Sequence, residues 1–130
     1  MSRHISAVAI VVPDYDEGLA FYVGRAGFHL IEDTDMGAGK RWVLIAPSAD
    51  AQTRILLAEA KGETQRAAIG QQAGGRVGFF LHSDDFDSDF RRMTDAGVEF
   101  EETPRDEPYG KVAVWRDPWG NRWDLLHLNG

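Results

Sequence analysis

The feature that most constrains the fold is an internal repeat, in which similar residues occur twice in the same order. The corresponding residues, at one offset or with a single deletion, are Asp14 with Asp85, Leu19 with Phe90, Pro47 with Pro118, and Gly27 with Gly97. Each half has the order strand, helix, strand, strand, strand. This periodicity predicts that one βαβββ unit is built twice.

The first half begins with Ile5–Val12, a β-branched run typical of a buried strand. Asp14 is the expected N-cap of the following helix, with Glu17 completing a capping box. Gly27 can end that helix in the left-handed conformation. The other predicted elements of this half are strands at Phe28–Ile31, Arg41–Ala46 and Thr53–Ala58, with a polar turn at Asp33–Lys40.

The second half follows a polar, glycine-rich linker over residues 61–75. It contains the expected strand Val77–His82, a helix capped by Asp85, a strand at Val98–Phe100 and a loop at Thr103–Tyr109. The chain then ends in a predicted hairpin, with strands Lys111–Arg116 and Asn121–His127 joined by the turn Asp-Pro-Trp-Gly-Asn. Proline presets φ, glycine allows positive φ, and the side chains of Asp117 and Asn121 can bond the turn's backbone.

These motifs resemble those of the vicinal-oxygen-chelate superfamily, which includes glyoxalase, bleomycin-resistance protein and extradiol dioxygenase. The resemblance depends on Leu19-Ala20-Phe21-Tyr22 before Gly27-Phe28, and on the Asp-Pro-Trp-Gly-Asn turn before Asp124. It implies an α+β fold of paired βαβββ modules within one domain, residues 1–130. Module 1 would cover about 4–60 and module 2 about 76–129. The resemblance also implies a homodimer.

Composition narrows the function classes. The chain has 14 basic and 21 acidic residues, a net charge of −7, and no cluster of Lys or Arg, so neither nucleic acid nor a membrane is an expected partner. No apolar run approaches the roughly 20 residues needed to span a bilayer. The absence of cysteine excludes thiolate metal sites and favours a cytoplasmic location.

The resemblance also implies four metal-ligand positions, two in each half. They fall at Ala7, Leu56, Gly78 (or Arg76, if the strand is longer) and Asp124. Of these side chains, Asp124 alone offers an oxygen, and one carboxylate is too few for a divalent ion that takes several protein ligands. We therefore expect no metal and no cofactor.

A polar and aromatic ligand site is expected instead, in the cleft that the resemblance implies. The predicted ligand-binding residues are Arg54, Arg76, Phe80, Tyr109, Trp115, Arg122, Trp123 and Asp124. Arginines beside Asp124 would lower the pKa of its carboxyl, which suits an anchor for a ligand better than a general base. A purely structural alternative is a salt-bridge network with Asp124–Arg76 as its main pair. The tryptophans could likewise belong to the core or to a dimer interface.

Three functions remain open from sequence. The first is a metal-free small-molecule binding protein of the bleomycin-resistance kind, for an aromatic or cationic compound. The second is a metal-dependent lyase, isomerase or dioxygenase of the glyoxalase type. The third is a metal-independent enzyme with Asp124 or His82 as its general base.

Overall fold

The computed structural model describes residues 2–130. They form two compact units, the first ending at Ile69 and the second beginning at Gly70. Each unit contains one mixed sheet and the helix that connects its first two strands. No helix in the described residues is long and apolar enough to cross a membrane. The α+β class and the paired βαβββ modules are therefore confirmed.

The first unit forms a four-stranded sheet. Its elements are β1 (Ala7–Val12), α1 (Tyr15–Tyr22), β2 (His29–Gly37), β3 (Lys40–Ala46), β4 (Arg54–Glu59) and the short α2 (Gly62–Ala68). The strand order is β1-β4-β3-β2, with β1 and β4 parallel and the other pairs antiparallel.

The second unit repeats this plan. Its elements are β5 (Val77–His82), α3 (Phe86–Asp95), β6 (Glu99–Phe100), β7 (Arg105–Glu107), β8 (Gly110–Arg116) and β9 (Arg122–Leu128). The strand order is β5-β9-β8-β6, with β5 and β9 parallel and β7 also paired to β8.

The predicted helix caps are formed in both units. The Asp14 carboxylate accepts a hydrogen bond from the Glu17 backbone N–H at 2.8 Å, and Asp85 accepts one from Ser88 at 3.3 Å. After each helix the chain passes through a glycine with positive φ, 83° at Gly27 and 94° at Gly97. The local signals of the repeat thus correspond to real helix boundaries.

Each helix packs on one face of its own sheet. A methyl group at Gly18 in α1 would lie 3.1–3.3 Å from Leu57 and Val12, so this helix contacts the face that those two residues share. In the second unit, Lys111 contacts Phe86 and Asp87 of α3, which places α3 on the Lys111 face of the sheet. Because side chains alternate along a strand, Leu56 and Asp124 lie on the faces opposite the helices.

Two segments expected to be irregular are strands instead. The predicted turn at Asp33–Lys40 is wrong, because β2 continues to Gly37 and Arg41 binds the Asp33 carboxylate at 2.7 Å across the strand pair. The predicted loop at Thr103–Tyr109 contains β7, where Arg105 pairs with carboxylates on either side. Both segments lack an apolar pattern. Asp33 is compensated by Arg41 across the strand pair, whereas Arg105 is compensated by glutamates two and three residues away in the chain.

Candidate functional site

The candidate site is the sheet face of the second unit that carries Asp124, which we call the Asp124 face. Asp124 is paired with Phe80 on β5 and with Val114 on β8, so the three side chains lie side by side. Phe80 is 59% exposed, a large fraction for a phenylalanine in a central part of a strand. The face therefore offers a carboxylate next to an accessible aromatic ring.

Asp124 is held in an unfavourable environment for a charged group. Its Oδ1 atom is buried and has no hydrogen-bond partner among the described residues. Burial raises the pKa of the Asp124 carboxyl above its ordinary value, against the opposing pull of Arg105 and Arg122. A buried acceptor without a partner is costly, and it is the kind of atom that a bound ligand can satisfy.

The neighbouring arginines are bound to other carboxylates. Arg122 donates two hydrogen bonds to Glu101, at 2.8 and 2.9 Å, and a third to the Gly75 carbonyl oxygen at 3.2 Å. Arg105 donates to Glu102 at 2.9 Å and to Glu107 at 2.7 Å. Asp124 consequently forms no ion pair with any residue in the described part of the chain.

The predicted electrostatics of Asp124 are thus wrong on two points. We expected arginines to lower its pKa, but desolvation dominates because Glu101, Glu102 and Glu107 already occupy those arginines. We also named Arg76 as its most favoured partner, yet Arg76 is exposed and donates to the Val77 carbonyl oxygen. The glutamates were missed because Glu101 and Glu102 follow the predicted strand Val98–Phe100 and Glu107 lies in the predicted loop, so no sequence pattern placed them beside the arginines.

Trp115 and Trp123 do not wall the Asp124 face, contrary to our expectation. They are 0% and 3% exposed, and their rings stack on one another with centroids 4.8 Å apart. Phe79 extends the stack, 4.9 Å from Trp123. Trp123 precedes Asp124 in a regular strand and so points to the other side of the sheet. These two tryptophans belong to the core, as the structural alternative stated.

Tyr109 lies in a tight turn. Glu107 pairs with Gly110 across the β7–β8 hairpin, which leaves Pro108 and Tyr109 as the two turn residues. The Tyr109 carbonyl oxygen accepts the Asn129 backbone N–H at 2.8 Å, and the Asn129 amide donates to Pro108. The turn is thereby tied to the end of the chain, while the Tyr109 side chain remains half exposed.

Gly78 does not face an empty space. A Cβ added there would lie 2.7 Å from the Cβ of Ala73, closer than two methyl groups can approach. Residues between α2 and β5 therefore cover this position. A large side chain at 78 would displace that segment rather than fill a vacancy.

In the first unit the face that carries Leu56 is mostly apolar. Ala7 pairs with Arg54, and Ala9 with Leu56, so these residues share one face of the sheet. Arg54 donates to the Ala51 carbonyl oxygen at 3.4 Å. A shallow hollow of about 340 Å³ lies beside Leu56, lined also by Trp42 and Tyr15.

The four positions inherited from the resemblance do not fit a metal ion. Ala7 and Leu56 have hydrocarbon side chains and Gly78 has none, so Asp124 is the one residue of the four with a ligand atom. A catalytic zinc takes three protein ligands, and magnesium requires a near-octahedral oxygen shell. No chemistry is therefore assigned to a metal at this place.

Comparison with known proteins agrees with this fold. A model of the Glyoxalase/Bleomycin resistance protein/Dioxygenase superfamily matches residues 4–125. The chain belongs to this superfamily. An uncharacterized member from Shewanella frigidimarina (strain NCIMB 400) is 47% identical over 130 residues, 99% of this chain and 96% of the relative.

Two solved structures are similar along nearly the whole chain. UcmS2 superimposes with a TM-score of 0.82 at 30% identity, covering 97% of this chain and 98% of the other. TnmS3, an antibiotic binding protein from Streptomyces sp. CB03234, gives a TM-score of 0.81 at 30% identity, covering 98% of each chain. One of these two similar structures is thus described as an antibiotic binding protein.

Proposed function

We propose that the protein binds a small, planar organic cation, with Asp124 as the anchor for its positive charge. The observation that carries this proposal is the buried Asp124 Oδ1 atom, which has no partner among the described residues. A protonated amine would supply both the missing donor and the missing counter-charge. Hydrogen bonds to charged groups of this kind contribute about 1.5–3 kcal/mol.

Phe80 supports the planar part of this ligand class. Its exposed ring lies beside Asp124 in the strand pairing, so a flat ring system can rest on it while an attached amine reaches the carboxylate. Ligand sites commonly combine an apolar wall with a few polar groups in this way. Arg76, Tyr109 and Arg122 remain proposed as polar contributors to this site, and Arg105 is added because its charge acts on Asp124. Arg54 remains a proposed ligand-binding residue of the first unit.

The similarity to TnmS3, whose name describes it as antibiotic binding, favours binding over catalysis. Ala7, Leu56 and Gly78 have no metal-ligand atoms in their side chains, which supports the same choice. Without those ligands this chain lacks the metal site on which a metal-dependent lyase or dioxygenase would rely. Sequestration or sensing of a compound needs only affinity, which the Asp124 face can supply.

The test is a calorimetric screen of planar ring compounds in matched pairs, each protonated amine with its neutral methyl analogue. We expect cationic members to bind and Asp124→Asn to weaken their binding about tenfold or more. Affinity should also fall as the pH is lowered through the pKa of Asp124, which is raised above that of an ordinary aspartate.

The matched control is Asp106→Asn, which removes the same charge at an exposed residue of the same unit. It should leave affinity unchanged, since long-range effects of an exposed charge are largely screened by salt. Equal binding of both members of each pair, or of wild type and Asp124→Asn, would contradict the proposal.

A metal-independent enzyme is the second candidate, favoured by the raised pKa of Asp124. A carboxylate whose pKa moves toward neutrality becomes a better general base. His82, with 45% of its side chain exposed, remains the other candidate base. Mass spectrometry of each bound compound after incubation would separate the two functions, because catalysis predicts a product that Asp124→Asn or His82→Gln fails to form.

We also infer that the protein is a homodimer located in the cytoplasm. Light scattering at micromolar concentration should give a particle of about twice the chain mass of 14.5 kDa. A particle of one chain mass would contradict the dimer. Cell fractionation tests the location.

A further inference from the structure

At the end of β5, three side chains with metal-ligand chemistry come together outside the family positions. We propose that His82, Asp84 and His127 bind one divalent transition-metal ion. Their ligand atoms all lie within 4.8 Å of one another. In a tetrahedral zinc site with bonds of about 2.0–2.1 Å, ligand atoms are roughly 3.4 Å apart, so small rotations complete the approach.

The pairing of two parallel strands brings the histidines together. His82 is aligned with Leu126, the residue before His127, and the two imidazole rings have centroids 5.3 Å apart at an angle of 30°. The Ser83 backbone N–H then donates to the Leu126 carbonyl oxygen at 2.8 Å. This bond holds the chain against β9 up to the point where Asp84 turns away.

His127 is oriented as a metal-binding histidine usually is. Its Nδ1 atom lies 2.6 Å from the Ser83 carbonyl oxygen, which can only accept, so Nδ1 carries the proton. Nε2 then keeps its lone pair for a metal. Ser83 itself is fixed, because its buried hydroxyl donates to Asp89 at 2.5 Å and accepts the Asp85 backbone N–H at 3.1 Å.

Asp84 is the acidic residue of this segment that is free to bind a cation. Asp85 is occupied as the cap of α3, and Asp87 forms an ion pair with Lys111 at 3.2 Å. The Asp84 side chain is 99% exposed, and its carboxylate oxygen lies 3.8 Å from Nδ1 of the His82 imidazole. A hollow of about 270 Å³ beside Asp84 and His127 leaves room for water to complete the coordination.

Two imidazoles and one carboxylate define the class of ion. Nitrogen donors of this kind suit Zn²⁺, Ni²⁺ and Cu²⁺, whereas Mg²⁺ and Ca²⁺ prefer oxygen ligands. The site is independent of the proposed ligand binding, since Asp124 takes no part in it, but it shares His82 with the second candidate function. Sequence spacing did not reveal it, because His127 is 45 residues from His82 and the two lie on opposite parities of their strands.

Zinc titration of the full-length, chelator-treated chain tests the proposal by calorimetry and thermal unfolding. We expect one Zn²⁺ per chain and a rise in Tm with zinc but not with Mg²⁺. His82→Gln and Asp84→Asn should each weaken zinc binding about tenfold or more. Binding should also weaken on acidification, because protons compete for the imidazole lone pairs.

His29→Gln is the control, since it removes an exposed histidine of the first unit and should leave zinc binding unchanged. His127→Gln adds a further test if it folds, and the two exposed variants decide the question if it does not. The proposal is overturned if zinc fails to bind stoichiometrically, or if both exposed variants bind as wild type does. It is equally overturned if Asp124→Asn abolishes binding, which would place the ion at the family position.

Discussion

The last strands of the two units are equivalent in topology and opposite in chemistry. In β4, Leu56 lies on a mostly apolar face, with Arg54 two residues before it in contact with a carbonyl oxygen. In β9 the equivalent residues are Asp124 and Arg122, and Arg122 is bound by two hydrogen bonds to Glu101. The same topology therefore presents a mostly apolar sheet face in the first unit and a charged sheet face in the second.

This difference shows where the chain accepts a loss of stability. A leucine at the position of Leu56 is favourable when half buried, whereas a buried carboxylate oxygen without a partner opposes folding. The repeat demonstrates that the fold tolerates an apolar residue at this position. A destabilising residue in one of the two units alone supports the proposal that Asp124 has a functional role.

The largest expected effect concerns the turn before each last strand. Asp117 is 2% exposed, and its carboxylate accepts the backbone N–H groups of Trp119, Gly120 and Asn121 at 2.9–3.0 Å, with the Asn121 amide at 2.7 Å. Asp117→Ala leaves these donors without their acceptor. We expect the free energy of unfolding to fall by about 3–5 kcal/mol in urea denaturation.

Ser48→Ala is the comparison change in the first unit, in the loop directly after Pro47; the residue equivalent to Asp117 is already an alanine there, Ala46. The Ser48 hydroxyl donates to Asp50 in an exposed loop, so this variant should change stability by less than about 0.5 kcal/mol. If both variants had similar effects, the second turn would not be the more constrained of the two.

That turn was predictable because its chemistry is local: aspartate, proline, glycine and asparagine are adjacent in the chain. The helix caps and the order of helices and strands along the chain were predictable for the same reason. The charged segments β2 and β7 were not, because neither has an apolar pattern. The charge of Asp33 in β2 is compensated by Arg41 on the neighbouring strand, and that of Arg105 in β7 by glutamates two and three residues away. Asp124 was named as a candidate from the resemblance, but its raised pKa depends on its burial and on which glutamates bind the neighbouring arginines.

Gly78 gives the next largest effect. A methyl group there would meet Ala73 at 2.7 Å, whereas Ala7, at the corresponding position of the first unit, already carries one. We expect Gly78→Ala to lower the free energy of unfolding by about 1–3 kcal/mol.

A double-mutant cycle that combines Gly78→Ala with Ala73→Gly tests whether the contact between the two methyl groups is the cause. If the clash is the cause, the double variant should be more stable than the sum of the single changes predicts, by more than about 0.5 kcal/mol. Additive effects would show that Gly78 is needed for another reason, such as its place in the irregularity between Val77 and Phe79.

The smallest expected effect is the change in Tm caused by Asp124→Asn, and its sign depends on the pKa of Asp124. Because burial raises the pKa of Asp124, the native chain holds its proton to higher pH than the unfolded chain does. The resulting stabilisation is fully present below about pH 3.8, the ordinary aspartate pKa. It is lost as the pH rises through the pKa of Asp124 in the folded protein. Above that, ionised Asp124 opposes folding, so Asp124→Asn should raise Tm at pH 7 by about 2–5 °C and have little effect near pH 3.

Leu56→Asn makes the equivalent position of the first unit polar without adding a charge. It should lower Tm at every pH, since it replaces half-buried hydrocarbon with an amide that has no evident partner. Opposite signs at the two positions, with pH dependence at Asp124 alone, would establish that the second unit trades stability for a charged site. A fall in Tm for Asp124→Asn at pH 7 would instead assign the carboxylate to the ion-pair network of Arg105 and Arg122, and would remove the main reason for placing a ligand there.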